Sequence, residues 1–121
     1  MADIEGAAVP ERLLITRTTT GDGVGIVVLA GEVDLDGSSQ LRDVLLSCVQ
    51  SAPGTVVDFG EVGFLDSSGI NVLITAHRAA EARGVWFRIA APQHAVERVL
   101  QLVGVDTLIG CFPTVEQALA A

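Results

Sequence analysis

The sequence has 121 residues, of which 50% are hydrophobic and 18% charged, and this composition is typical of one globular domain rather than a disordered chain. Its formal net charge of −8 argues against nucleic acid and against an anionic membrane surface as partners, because both attract clustered lysine and arginine. No apolar run approaches the roughly 18 to 20 residues that cross a bilayer, so proteins and small molecules remain as the expected partners.

The first half of the chain predicts an arm, a hairpin and a helix. Residues 1–12 are polar and aperiodic, so we expect a flexible N-terminal arm, and they lack the features of a secretory signal, which favours a cytoplasmic protein. Leu13–Thr19 and Val24–Val33 are predicted to pair as antiparallel strands around the turn Gly21-Asp22-Gly23. Both faces of the second strand are apolar, which predicts a strand covered on both sides. Apolar residues at helical spacing then predict a helix over about 38–52.

The second half alternates strands and helices. The predicted elements are a strand at Thr55–Phe59, a loop at Gly60–Gly63, a helix over about Ser68–Arg83, a strand at Val85–Ala90, a helix from Pro92 to Gly104, a short strand at Leu108–Phe112 and a helix at Thr114–Ala121. This alternation indicates a mostly parallel sheet with right-handed crossovers. We therefore predict an α/β fold in a single domain over 13–120. Its mixed, mostly parallel sheet has about five strands with an antiparallel N-terminal hairpin, and about four helices.

The chain lacks the residue patterns of the common hydrolases and nucleotide-binding enzymes. Ser67 and Ser68 could serve as nucleophiles, but His77 lies nine or ten residues farther along the same predicted helix. At 1.5 Å per residue this separation is about 14 Å, which is too far for a hydrogen bond. His94 belongs to a different helix, and neither a Gly-x-Ser-x-Gly motif nor a Walker loop is present. We expect no enzymatic activity and no cofactor.

Neither the cysteines nor the acidic residues predict a permanent metal site. Cys48 and Cys111 are not part of a Cys-x-x-Cys pair, and the chain has only two histidines. We expect two half-buried core thiols, and a disulfide stays open because it requires Cα atoms within roughly 7 Å. For Asp34, Asp36 and Asp66 we favour a transient role beside a partner's nucleotide over permanent binding of Mg²⁺.

The most informative segment is Asp66-Ser67-Ser68-Gly69, at the junction of a predicted strand and a predicted helix. Small hydroxyl residues at this position can cap the helix by binding its unpaired N–H groups. The N-terminus of a helix also favours an anion such as a phosphate group. From these four residues alone a plain cap is favoured, and a switch stays open.

A longer stretch, from Val56 to Ile70, resembles the signature of the STAS domain family, and in particular of the bacterial anti-sigma factor antagonists. Further segments resemble the family in the same order and spacing: Gly31-Glu32-Val33-Asp34 with Leu41-Arg42, Ala82-Arg83-Gly84, and Pro92 through Gly104-Val105. The resemblance covers about residues 13–119.

This resemblance implies a phosphorylation switch at Ser67, the serine directly after the motif aspartate. The implied partner is an anti-sigma factor with serine/threonine kinase activity, which the unphosphorylated protein binds so that a sigma factor is released. A serine phosphatase is implied to reset the switch. The implied partner-binding residues are Asp34, Asp66, Ser68, Gly69, Ile70 and Asn71. Among them, Ser68 is expected to cap the helix or contact the partner, and Gly69 to let a partner backbone approach closely.

Two positions depart from the family's pattern. Asn71 stands where the family often has Gly, and this larger polar side chain is expected to alter which kinase is accepted. Gly37 stands where the family often has Thr or Ser as the N-cap of the first helix, and Gly is a serviceable cap. An alternative function stays open, namely a STAS scaffold that is not phosphorylated or a module that senses a small ligand such as a nucleotide.

Overall fold

The computed structural model describes residues 13–121, so the arm expected at 1–12 lies outside the described residues. The elements in chain order are β1 (Leu13–Thr19), β2 (Gly25–Val33), α1 (Leu35–Ser51), β3 (Gly54–Leu65), α2 (Ser67–Arg83), β4 (Trp86–Ala90), α3 (His94–Leu102), a 3₁₀ turn (Val105–Thr107), β5 (Gly110–Phe112) and α4 (Val115–Ala120). The predicted order of strands and helices is confirmed.

The strands form one sheet in the order β1-β2-β3-β4-β5. β1 pairs antiparallel with β2, with Leu13 opposite Gly31 and Thr19 opposite Gly25, and the other three pairs are parallel. The mixed, mostly parallel sheet with an antiparallel N-terminal hairpin is therefore confirmed. Because β2 to β5 are parallel, their carboxyl ends meet at one edge of the sheet, where ligands commonly bind in α/β folds.

The main core lies on one face of the sheet, beneath α1, α2 and α3. Leu29 and Phe59 from the strands pack there with Leu41, Leu73 and Leu100 from the three helices, and all five side chains are essentially inaccessible to solvent. Burying such a side chain contributes about 1.5–3 kcal/mol. The apolar helix stripes therefore fix α1 and α2 side by side, with both of their N-termini at the carboxyl edge of the sheet.

The opposite face of the sheet is covered only in part. Val56, Ala90 and Ala118 form a smaller buried cluster under α4, which packs against β3, β4 and β5. Ile26 and Val28 of β2 lie on this face and are only half-buried. The prediction that β2 is covered on both sides is therefore wrong, because the helical cover ends at β3.

The structure also moves the predicted boundaries of α1 and β3. α1 begins at Leu35 rather than near Ser38, because the Asp34 side chain caps it. β3 continues to Leu65, so the loop expected at 60–63 is wrong. That stretch instead pairs with β2 through two register shifts, which accommodate its glycines within the parallel ladder.

Two later boundaries differ as well. α3 begins at His94 rather than at Pro92, because Gln93 is extended and forms the N-cap. β5 begins at Gly110 rather than at Leu108, because the N–H groups of residues 108 and 109 both donate to the carbonyl of Val105 and close the 3₁₀ turn. These shifts leave the topology unchanged.

Within residues 13–121 no helix combines the length and apolar character needed to span a bilayer.

Both cysteines are free thiols. Cys48 is buried, and its Sγ accepts a hydrogen bond from the Thr55 hydroxyl at 3.3 Å. Cys111 is half-buried, and burial together with the negative charges of Asp106 and Glu97 raises its pKa to about 11. This thiol is therefore protonated at neutral pH and is a weak nucleophile.

Gly54, the first residue of β3, allows us to test the packing around Trp86. A Cβ at Gly54 would overlap the indole ring, which also stacks against the Arg88 guanidinium. We expect Gly54→Ala to lower the free energy of unfolding by about 1–3 kcal/mol, the usual cost of overpacking. The matched control is Gly63→Ala in the same strand, where a Cβ meets no atom within 4 Å. Urea denaturation followed by circular dichroism measures both variants, and equal stabilities would contradict the tight fit.

Candidate functional site

The candidate site lies where β2 and β3 end side by side. Val33 and Leu65 are opposite each other in the sheet, and the N–H of Asp66 donates to the Val33 carbonyl at 3.1 Å. Asp34 and Asp66 directly follow these two strands. Each is the N-cap of the next helix, so the structure brings them to the same edge of the sheet, as the strand order predicts.

The Asp66 carboxylate organises the first turn of α2. Its Oδ1 accepts hydrogen bonds from the Ser68 hydroxyl at 2.6 Å, the Ser68 N–H at 2.9 Å and the Gly69 N–H at 3.3 Å. The Ser68 hydroxyl, with the amides of Gly69, Ser68 and Leu35, holds the pKa of Asp66 below its usual 3.8 against an opposing effect of desolvation. Leu35 is the first residue of α1, so one carboxylate interacts with the starts of both helices.

The two serines of the motif have different surroundings. Ser68 is half-buried and its hydroxyl donates to Asp66, so the cap of α2 is Asp66 rather than Ser68. Ser67 is the first residue of α2 and is exposed, and no hydrogen bond within residues 13–121 engages its hydroxyl. This hydroxyl is accessible from outside, and the positive end of the helix dipole favours negative charge beside it.

Gly69 is buried and serves the packing of α2. A Cβ at this position would lie 2.5 Å from Leu65 Cδ1 and 2.6 Å from Val33 Cγ1. The absence of a side chain therefore lets the first turn of α2 pack directly onto the ends of β2 and β3. This close approach is made within the chain, and the approach of a partner's backbone to Gly69 stays a prediction.

Asp34 caps α1 in a similar way. Its carboxylate accepts a hydrogen bond from the N–H of Asp36 at 3.1 Å, and the residue is half-buried. The prediction that Gly37 is the N-cap of this helix is wrong, because the cap lies three residues earlier. Gly37 belongs to the first turns of α1 and faces Leu13, whose Cδ2 would lie 3.0 Å from a Cβ at position 37.

The last two predicted site residues differ in exposure. Ile70 is half-buried and packs against the main core, so only part of its side chain is at the surface. Asn71 is exposed and lines a cleft between α1 and α2. It follows Ser67 by four residues, which places the two side chains next to each other on one face of the helix.

Three surface residues near the motif were missed by the sequence analysis. Leu35 and Phe64 are large apolar residues with exposed fractions of 73% and 48%. Arg42 lines the same cleft as Asn71. Alternation along β3 could have indicated that Phe64 faces away from the side of the buried Leu65, whereas the sequence holds no comparable signal for Leu35.

No catalytic arrangement surrounds Ser67 in the part of the chain that the structure describes. His77 lies nearly three turns farther along α2, and its buried Nε2 makes no hydrogen bond within residues 13–121. Glu81 Oε2 is 3.5 Å from that nitrogen, a contact that becomes ionic only when the imidazole is protonated. Within the same residues, no group of three or more His, Cys, Asp or Glu is arranged to hold a metal ion.

Comparison with known proteins identifies the family. A family profile described as "Mlab, STAS domain" matches residues 16–110. The chain belongs to the STAS domain family. The matched part of this STAS domain includes both capping aspartates and the whole Asp66-Ser67-Ser68-Gly69 motif.

Several relatives of this STAS domain have names that describe a function. The anti-sigma-F factor antagonist RsfB of Mycobacterium tuberculosis is 27% identical over 111 residues, which cover 91% of this chain and 89% of that protein. The crystal structure of an anti-sigma factor antagonist from Mycobacterium paratuberculosis is 26% identical and superposes with a TM-score of 0.83, covering 93% of this chain and 95% of the other. The unphosphorylated anti-sigma factor antagonist SpoIIAA, at 21% identity and a TM-score of 0.76, shares the fold over 88% of this chain and 93% of its own.

Asp66→Asn tests the charge of the cap, because asparagine is an equally good N-cap but neutral. The pKa of Asp66 in the folded protein is below 3.8, so its ionised form stabilises the fold above that pH, and this contribution is lost as the pH falls through the lower folded value. We expect wild type to be more stable than Asp66→Asn at pH 6, and the difference to shrink below about pH 4.

Asp22→Asn is the control for this experiment. Asp22 is exposed in the turn between β1 and β2, and its carboxylate accepts no hydrogen bond within residues 13–121. Urea denaturation at several pH values measures both variants beside wild type. A stability difference between wild type and Asp66→Asn that stayed constant from pH 6 to pH 2.5 would show that the carboxylate charge plays no part.

Proposed function

We propose that this STAS domain is an anti-sigma factor antagonist that binds an anti-sigma factor with serine/threonine kinase activity and is switched off by phosphorylation of Ser67. The observation that carries the proposal is the Ser67 hydroxyl directly after the capping Asp66, because this hydroxyl is exposed and no hydrogen bond engages it within residues 13–121. Relatives of nearly the same length are named anti-sigma factor antagonists, which favours this function over an unphosphorylated scaffold or a nucleotide sensor. Binding to the kinase releases the sigma factor that the kinase otherwise holds.

Ser67 is suited to accept a phosphoryl group. Its Oγ attacks the terminal phosphorus of ATP, the bond from that phosphorus to ADP breaks with its electron pair, and the hydroxyl proton passes to a base of the kinase. Ser68 is a poorer acceptor, because its hydroxyl is half-buried and held by Asp66 at 2.6 Å. A serine phosphatase later hydrolyses the ester and restores the hydroxyl.

The proposed docking surface for the kinase surrounds Ser67. It comprises the exposed parts of Asp34, Leu35, Phe64, Asp66, Ser67, Ser68, Ile70 and Asn71. Leu35 and Phe64 supply apolar contacts of the kind that carry much of the energy of an interface. Asp34 stands at the neighbouring helix start, beside the ATP and Mg²⁺ of the kinase. Gly69 contributes indirectly, because its lack of a side chain lets the first turn of α2 pack closely against Val33 and Leu65.

Phosphorylation weakens docking through electrostatics. A phosphate on Ser67 adds a charge of about −1.5 to −2 at pH 7, beside the carboxylates of Asp34 and Asp66. A kinase surface that fits a neutral hydroxyl must then bury a dianion for which it supplies no counter-ion, which costs a few kcal/mol, and each 1.4 kcal/mol weakens affinity tenfold. The start of α2 tolerates the same charge, so the partner dissociates while the fold persists.

Mass spectrometry after incubation with the kinase and ATP locates the phosphate. The kinase is captured from lysate with Ser67→Ala as bait, identified and then purified. We expect one phosphate on Ser67 of wild type, none on Ser67→Ala, and one on the control Ser68→Ala, which removes only the neighbouring hydroxyl. Transfer of the phosphate to another residue, or no transfer by a kinase that binds the protein, would refute the assignment of Ser67 as the phosphorylation site.

Ser67→Asp and Ser67→Asn separate charge from size. The two side chains have nearly the same volume and both are accepted at a helix start, so they differ mainly in charge. We expect Ser67→Asp to bind the kinase at least about tenfold more weakly than Ser67→Asn, which corresponds to about 1.4 kcal/mol. Isothermal titration calorimetry measures both affinities, and equal values would refute the electrostatic explanation of release.

A further inference from the structure

An open polar cleft of about 250 Å³, here called the α1–α2 cleft, separates the starts of α1 and α2. Its walls are formed by Ser38, Ser39 and Arg42 of α1 and by Ser68, Asn71, Val72 and Thr75 of α2. All of these residues except Val72 carry side chains that can hydrogen-bond. Hydroxyls, an amide and a guanidinium together form the kind of lining that binds the oxygens of a phosphate.

Arg42 is the charged residue of this lining, and its guanidinium has no hydrogen bond or ion pair within residues 13–121. Some of the other arginines within residues 13–121 are already engaged. Arg17 donates to the Ser51 hydroxyl at 2.8 Å, and Arg83 donates to backbone carbonyls of Val49 and Ala52. Arg42 is thus an available cation on a chain whose net charge is −8.

Ser67 is not part of the lining of the α1–α2 cleft but adjoins two of the lining residues on α2. It precedes the lining residue Ser68 by one position and precedes Asn71 by four, so Ser67 and Asn71 share one face of α2. Carboxylates also belong to this end of the two helices, since Asp66 directly precedes Ser67 and Asp34 and Asp36 lie at the start of α1. A phosphate on Ser67 is therefore repelled by these carboxylates and attracted by Arg42 of the cleft.

We propose that the α1–α2 cleft is the intramolecular receptor of the phosphate on Ser67, with Arg42 as its counter-ion and the Asn71 amide as a further donor. This inference rests on the proposed function and specifies which residues bind the phosphate in the phosphorylated protein. Arg42 offers a planar fork of N–H groups that matches two phosphate oxygens. Once it is engaged, Arg42 is no longer available to the kinase, which adds to the loss of kinase affinity.

The test uses the full chain with phosphoserine installed at position 67 by genetic code expansion. ³¹P NMR then follows the second ionisation of the phosphate, whose ordinary pKa is about 6. Carboxylates nearby raise this pKa, and an engaged guanidinium lowers it. We expect Arg42→Gln to raise the pKa by about 0.5, the size expected for an exposed ion pair. In the phosphoprotein with Arg42 intact, the side-chain Nε–H signal of Arg42 is expected to titrate with the same pKa.

The matched control is Arg98→Gln, which removes the same charge from an exposed position on α3. This control is expected to leave the pKa of the phosphate unchanged. Equal pKa values in Arg42→Gln and Arg98→Gln, or an Arg42 signal that does not follow the phosphate, would overturn the receptor assignment. Because phosphoserine is installed without the kinase, a failure of the kinase to modify Ser67 would refute the proposed function independently of this result.

Discussion

The Asp66 carboxylate binds the first turn of α2 while the Asp66 N–H donates to the carbonyl at the end of β2. Asp66 thus connects the ends of β2 and β3 to the start of α2, and the candidate site lies at this junction. Its interaction with the amide of Leu35 extends the connection to α1. This carboxylate therefore lies near both of the helix starts that border the α1–α2 cleft.

The same cap gives two adjacent serines opposite roles. Ser68 is bonded inward, where it lowers the pKa of Asp66, and Ser67 is left exposed one position earlier. A modification of Ser67 therefore leaves the cap bonds in place. This separation is physically important, because a switch that broke the cap of α2 would cost about 0.5–2 kcal/mol of stability each time it operated.

The site also depends on a buried glycine beneath the start of α2 and on exposed apolar residues beside it. Gly69 lets α2 pack onto Val33 and Leu65, which places the helix start at the surface in a fixed position. Leu35 and Phe64 stay exposed beside it, although both are large apolar residues. The result is a helix start packed onto the sheet with an apolar border, and a protein partner can bind such a surface without first ordering a loop.

The sequence by itself determined the order of strands and helices, the parallel sheet with its antiparallel hairpin, and the position of the motif between a strand and a helix. These features follow from local periodicity and turn residues, which act over a few positions. Only the tertiary structure decided that β3 runs through Gly60–Gly63, because pairing with β2 outweighs the local preference of glycine for a loop. The tertiary structure also decided which of the two serines is exposed and that Arg42 and Asn71 line the same cleft. Both features depend on how separate elements pack against each other, and no local sequence pattern encodes that packing.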